Sequence, residues 1–269
     1  MTSLLADDGE QLTTGWEPDV AAGDSVVRQA VLVHASWANA LARSIDRPWM
    51  DGPEWAAGNC DDRGALSNWV VLKRPLLDLE RVVAALDEMF PPGVPFLMVS
   101  AWPTPDLRAH RLGLVGHPPL MLRPPSTPTQ PPPCDLELRW VSGADELIDA
   151  ERVMVDGYPL PDMQPFHPGR LYAPALLEGP TSVVVAYDGD GTPLATAAAH
   201  SAHGVTLVEN VAVLRAARGR GAGAAVTWAA TRSVPGQPAV LIASDDGQPV
   251  YERLGYLRLE RWTVWLRSA

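Results

Sequence analysis

Residues 214–226 read LRAARGRGAGAAV, with three arginines, three glycines and five alanines in thirteen positions. An apolar run precedes them and an alanine-rich run follows. Glycines at alternate positions (Gly219, Gly221 and Gly223) let a backbone turn with its N–H groups converging and no side chains in the way. A helix starting there adds unpaired N–H groups and the positive end of its dipole. Arg218 and Arg220 add charge, so the stretch has the chemistry of a phosphate or pyrophosphate site. Two common phosphate loops do not fit. A GxxxxGK[ST] loop needs a lysine after the last glycine, and none follows. A dinucleotide GxGxxG needs a wider second gap and an early βαβ unit.

The flanks decide what could hold such a site. Val205 to Leu214 (VTLVENVAVL) is mostly apolar and reads as a central strand. A helix is expected from the glycines to about Ser233. Ala239 to Ala243 is a buried strand, Gln248 to Leu254 a short helix stopped by Gly255, and Leu257 to Leu266 one closing strand. Upstream, Leu136 to Val141 is a strand, and Ser142 is the expected N-cap of a helix with acids in its first turn. The run SVVVAYD-GDG-PLATAAAH is a hairpin signal.

Six prolines in residues 124–133 (PPSTPTQPPP) favour extended backbone and mark a semi-rigid linker. The chain therefore divides into a unit at 1–123, the linker at 124–133 and a unit at 134–269. In the first unit, Val26 to Leu41 reads as a helix and the Trp-rich stretch Pro48 to Trp55 has no clear period. Trp69 to Lys73, Pro95 to Ser100 and Leu120 to Arg123 read as strands. Leu79 to Phe90 reads as a helix, and Leu107 to Leu112 as a short helix ended by Gly113. Ala109 to Gly113 can be laid beside Tyr251 to Gly255, and Val70 to Gly113 spans 43 positions where Val211 to Gly255 spans 44. A diverged internal duplication and a chance match of two βαβ-type units are both open at this point.

Composition narrows the partners. The net charge is −11 with 20% charged and 46% hydrophobic residues, and Lys73 is the only lysine. A polyanion is repelled by nucleic acid and anionic membranes, so neither is an expected partner. Cys60 and Cys134 make neither a disulfide framework nor a metal site, and no CxxC or HExxH spacing occurs, so no metal is expected. The N-terminus lacks the marks of a signal peptide, and no apolar run approaches 18 residues. A cytoplasmic protein, monomer or homodimer, is the expectation.

Arg218, Gly221 and Gly223 meet an R-x-x-G-x-G pattern. VENVAVLRAARGRGAGAAV and, about thirty residues on, LIASDDGQPVYERLGY together resemble the GNAT superfamily of acyl-CoA-dependent N-acetyltransferases over residues 135–269. The resemblance implies an α/β (α+β) fold: a mixed, twisted sheet flanked by helices, its fourth and fifth strands splayed around acetyl-CoA. The N-terminal unit would then be a diverged GNAT-like or accessory domain without catalytic equipment, giving a tandem arrangement. Its loop after the corresponding strand, Lys73 to Asp78, has no glycine, and Ala109 stands where the duplication puts Tyr251.

Carried onto this chain, the resemblance implies that backbone groups of Val211, Ala212 and Val213 pair with the pantetheine arm. The backbone of Arg218, Gly219, Arg220, Gly221, Ala222 and Gly223 would take the pyrophosphate, and a side chain at Gly221 would crowd it while sparing the fold. Tyr251 matches the general acid that protonates the departing thiolate. Glu209 sits where an acidic residue takes the ammonium proton, with His200 and His203 as alternative bases. Ser244 stands in place of the family's asparagine after the fifth strand. The implied reaction is direct attack of a small-molecule or peptide amine on the thioester of acetyl-CoA. The alternative is a non-catalytic acyl-CoA-binding regulatory module.

Overall fold

The computed structural model describes residues 25–60, 64–125, 130–158 and 160–269. The first 24 residues, with the expectation about a leader, lie outside these, as do residues 126–129 of the proline segment. The first helix, α1 (Val26–Ser44), begins where the Ser25 hydroxyl accepts the Arg28 N–H at 3.1 Å, an N-cap. Then follow β1 (Trp49–Asp51), β2 (Trp55–Gly58), β3 (Trp69–Leu72), α2 (Leu79–Met89), β4 (Phe96–Ser100), β5 (Gly113–Gly116) and β6 (Pro119–Arg123). Past the prolines come β7 (Glu137–Trp140), α3 (Ala144–Gly157), β8 (Thr181–Tyr187), β9 (Pro193–Ala202) and β10 (Val205–Val213). The chain closes with α4 (Ala222–Thr231), β11 (Ala239–Ile242), α5 (Gln248–Arg253), β12 (Leu257–Arg261) and β13 (Thr263–Arg267).

The strands form two mixed sheets, ordered β1-β2-β3-β4-β13-β5 and β12-β6-β11-β10-β9-β8-β7. Each sheet contains one strand from the other side of the proline segment. β6 lies between β11 and β12, and β13 lies between β4 and β5, both antiparallel to their neighbours. The two sides repeat one plan. A parallel pair spans a helix (β3-α2-β4 and β10-α4-β11), a short helical turn and a strand follow, and the last strand crosses to the opposite sheet. That reciprocity supports the duplication over a chance match of unit lengths.

Strand alternation separates three apolar layers. Val183, Val185, Ala198 and Leu207 face α1 and α3, in a core shared with Val71 and Val99 of the other sheet. Val184, Ala186, Ala195 and Val208 face α4 through Val226 and Trp228. Val70, Leu72, Phe96 and Met98 face α2 through Val82 and Leu86. Helix α1 packs on β2 and β3 of one sheet and on β9 and β10 of the other, which explains why it is buried over most of its circumference.

Several local expectations change. Leu257 to Leu266 is two strands in different sheets, because Trp262, fully buried, breaks the run and turns the chain across the core. The α3 N-cap is Gly143; the Ser142 N–H and hydroxyl instead both donate to the Glu146 carboxylate, at 2.7 and 2.9 Å. The turn at Arg108–His110 is a 3-10 helix closed by Arg111 at φ 63°, and Gly113 begins β5. The Trp-rich stretch is a hairpin of short strands, too brief for a period to register.

Candidate active site

Strands β10 and β11 pair at only two positions, Thr206 with Ala239 and Leu207 with Val240. Beyond them β10 keeps only β9 as a neighbour, and a bulge interrupts that ladder between Glu209 and Ala212. Asn210 sits in the bulge at φ 52°, a left-handed conformation that asparagine tolerates better than most residues. Its side-chain amide donates to the buried Tyr172 hydroxyl at 2.8 Å. Tyr172 is held in turn by a loop whose Gly169 and Leu171 N–H groups both donate to the buried Glu151 carboxylate at 2.6 Å. The bulge is thus braced from α3, and its braced geometry leaves Val211, Ala212 and Val213 without a partner strand on the β11 side.

The parted strands open a cleft of about 560 Å³. Glu209, Tyr251, Val211 and Ser244 line it from the C-terminal side, joined by Tyr158. Trp69, Leu97, Gly116 and Val264 line it from the other sheet, so the cleft lies between the two sheets. Burial pushes the Glu209 carboxyl up to about 7, against the pull of the Asn210 backbone N–H. Burial first, then the Glu209 and Tyr158 charges, pushes the Tyr251 phenol up to about 12. Tyr158 is raised for the same reasons, burial before Glu209. The cleft therefore holds a carboxyl that exchanges its proton near neutrality and a phenol that stays protonated.

Tyr251 owes its position to a glycine. A Cβ on Gly247 would stand 2.8 Å from Tyr251 Cε2 and 3.2 Å from Ser244 Oγ. The Ser244 hydroxyl accepts the Gly247 N–H at 3.2 Å, which fixes the turn into α5.

The glycine loop enters α4 with Gly219 at φ 77° and Gly221 at φ 81°. A Cβ at Gly219 would meet nothing within 4 Å, so the backbone there faces open space, the shape an anion cradle requires. Gly221 is different: a Cβ would stand 2.6 Å from the Pro133 carbonyl oxygen. A side chain at Gly221 therefore collides with the end of the proline segment itself, which corrects the expectation that it would spare the fold. A Cβ at Gly223 would stand 3.2 Å from Val213 Cγ2. Ala222 is buried in the first turn of α4. Both guanidinium groups have protein partners. Arg218 donates to the Gly157 carbonyl at 3.0 Å and the Val213 carbonyl at 3.4 Å, and Arg220 pairs with Asp135 at 2.6 Å. An anion at this loop would therefore have to be met by its N–H groups.

Two expected alternatives fall elsewhere. His200 bonds Thr181 Oγ1 at 2.8 Å and Ser36 Oγ at 2.9 Å, and with His203 lines a separate cavity beside α1. Trp49 also lines that other cavity, and Trp55 is core. Conversely, His34 on α1 stands 3.7 Å from Glu209. Its signal in the sequence was a lone titratable residue inside the apolar run VLVHASWANAL.

The family model for acetyltransferases of the GNAT family matches residues 147–256, a span that contains the bulge, the glycine loop and Tyr251. This segment is a GNAT domain. The likeness in structure extends well beyond that segment. A GCN5-related N-acetyltransferase from Kribbella flavida superposes with a TM-score of 0.60 at 27% identity, covering 88% of this chain and 94% of that one. A putative GNAT-family acetyltransferase from Novosphingobium aromaticivorans gives 0.56 at 15% identity, over 88% and 97%. A conserved protein of unknown function from Staphylococcus epidermidis gives 0.54 at 16%, over 81% and 92%. The latter two are likenesses of fold. No curated protein sequence matches the chain significantly. The GNAT domain supports acyl-CoA-dependent acetyl transfer as the general chemistry. Among the described residues, no helix is long and apolar enough to cross a membrane.

Proposed function

We propose that the chain is an acetyl-CoA-dependent N-acetyltransferase in which a primary amine attacks the thioester directly. The observation that carries this is the meeting of Glu209 and Tyr251 in one cleft where β10 parts from β11, beside a glycine-lined helix start. Acetyl-CoA supplies an acyl group already activated as a thioester. The residues present suit it: β10 has no partner strand on the β11 side from Val211 to Val213, and the Gly219 backbone faces open space.

An alkyl amine with pKa near 10 arrives protonated. The Glu209 carboxylate takes one of its protons, directly or through a water, and is neutral afterwards. As the nitrogen–carbon bond forms, charge grows on the carbonyl oxygen, and a bulge N–H of β10 stabilises it. As the carbon–sulfur bond breaks, Tyr251 gives its phenolic proton to the sulfur. The nitrogen still carries one proton more than an amide holds, and it gives that proton to the Tyr251 phenolate, so of the ammonium's three protons one stays on the amide, one is on Glu209 and one replaces the proton that Tyr251 gave to the sulfur. The N-terminal sheet forms the far wall of the cleft and in this reading selects the acceptor, with Trp69 and Leu97 offering it an apolar face. Among that unit's described residues, the place corresponding to the glycine loop is nearly filled. The hollow at the end of β3, between Leu72 and Asp78, measures about 10 Å³.

The test is release of free CoA thiol from acetyl-CoA across a panel of small and peptidyl primary amines. Tyr251→Phe is expected to lower turnover about 100-fold while leaving the Kd for CoA unchanged. Binding of acetyl-CoA without thiol release from any amine would instead favour the regulatory module.

A further inference from the structure

Glu209 has a neighbour that the transfer reaction does not require, and it comes from the other half of the molecule. His34 is 1% exposed on α1, between the sheets. Its Nδ1 lies 2.7 Å from the Ala30 carbonyl oxygen. A carbonyl only accepts, so Nδ1 carries the hydrogen and the neutral ring presents a bare lone pair at Nε2. Burial holds this ring neutral, its pKa lowered to about 4, the Ala30 bond opposing weakly. Nε2 has no hydrogen-bond partner among the described residues. It points at Glu209 Oε1, 3.7 Å away. The indole of Trp262, with ring centroids 4.9 Å apart, fixes the imidazole plane.

A lone pair aimed at a carboxylate repels it, whereas one aimed at a carboxylic acid accepts its hydrogen. We propose that His34 is a positioning residue for Glu209, its Nε2 accepting the hydrogen of the protonated carboxyl once the amine's proton has been taken up. The 3.7 Å separation is longer than a hydrogen bond, and a turn of the terminal Glu209 torsion, which is broad in carboxylates, closes it. The proton balance is simple. The ammonium loses one proton to a Glu209 oxygen within its reach, the carboxyl turns to bring that O–H to Nε2, and His34 holds the hydrogen without taking the charge. The phenols Tyr158, Tyr172 and Tyr251, which feel the Glu209 charge, stay protonated at neutral pH; His117, Asp245 and Arg261 line the same cleft, and His200 interacts electrostatically with His34 and His203. None of these bonds Nε2.

The proposal rests on the transferase reading for the source of the proton, but its test needs no turnover. The free chain, labelled with nitrogen-15 at histidine, is titrated from pH 9 to 5.5. The His34 Nε2 resonance is expected to shift with a midpoint near 7, as Glu209 protonates, while Nδ1 remains bonded to hydrogen. In Glu209→Gln, whose amide donates at every pH, that shift should vanish. A His34 resonance that stays constant, or a shift that persists in Glu209→Gln, overturns the proposal. Independently, the carbon-13 carboxyl signal of Glu209 in His34→Leu should titrate about one unit lower, the loss of roughly one hydrogen bond, and His34→Gln should restore most of that shift. An unchanged midpoint in a folded His34→Leu also overturns it. Loss of acetyl transfer with the nitrogen titration intact would instead count against the transferase reading alone.

Discussion

A carboxyl that gives up its proton near pH 7 alters how an amine substrate must arrive. With Glu209 as the base, the ammonium form is the one used, so kcat/KM should climb to a plateau above about pH 7. In Glu209→Gln only free amine reacts, and the rate should be about 100-fold lower at pH 7 and keep rising toward the amine's own pKa. A wild-type profile without a break near 7 counts against Glu209. Stability follows the same groups with opposite signs. His34 and His200, both lowered to about 4 by burial, add stability that is complete above 6.5 and lost as the pH falls toward 4. Glu209, raised to about 7, adds stability that is complete below 4.5 and lost as the pH rises through 7. His203 is lowered and Glu151 raised in the same way, so three histidines stand against two carboxyls and the urea midpoint should rise between pH 4.5 and 6.5. His200→Gln should flatten that rise and Glu209→Gln should steepen it, both read from denaturation curves. Of these residues, Glu209 and Tyr251 were singled out by the resemblance, and the structure brings both to one cleft. His34 was not, since its partner lies 175 positions away and nothing local to α1 marks which face meets β10.

The glycine loop and the bulge work as one element pair. Gly219 and Gly221 share a left-handed backbone, so alanine at either costs about 1 kcal/mol in conformation. Only at Gly221 does the new Cβ also meet a backbone carbonyl, that of Pro133. Gly221→Ala should therefore melt clearly below Gly219→Ala in a thermal scan. Gly219→Ala should keep its melting temperature within a few degrees and lose affinity for CoA, checked by calorimetry. Equal melting temperatures would mean that Pro133 yields. Strand and helix periods made most elements readable, because burial on one face imposes them. The readings failed where the period was too short or the chain changed sheets. Strands of three or four residues at β1 and β2 carry no alternation, and Trp262 interrupts an alternating run that looks continuous from Leu257 to Leu266.

At the scale of the molecule, the two sheets are interlocked. Leu120 and Met121 of β6 are fully buried in the seven-stranded sheet, while Val264 and Trp265 of β13 are buried in the six-stranded one. Arg267 fastens β13 by pairing with Asp87 and donating to the Phe90 carbonyl. A protease site placed in the proline segment should give, after cleavage, two fragments that co-elute on size exclusion. Residues 134–269 expressed alone should lack fixed tertiary structure by near-ultraviolet circular dichroism, and a well-dispersed fold in that fragment would show that β6 is dispensable. The exchange also sets a timetable on the ribosome. Among the described strands β5 pairs with β13 alone, so a strand complete by residue 116 waits for residues 263–267, made about 150 positions later. Until then the gap beside β4 stays open, with Val99 and Met98 short of cover. The nascent chain therefore carries an uncovered apolar edge through most of the synthesis of its second half, and the first half of the protein finishes folding only once β13 has emerged.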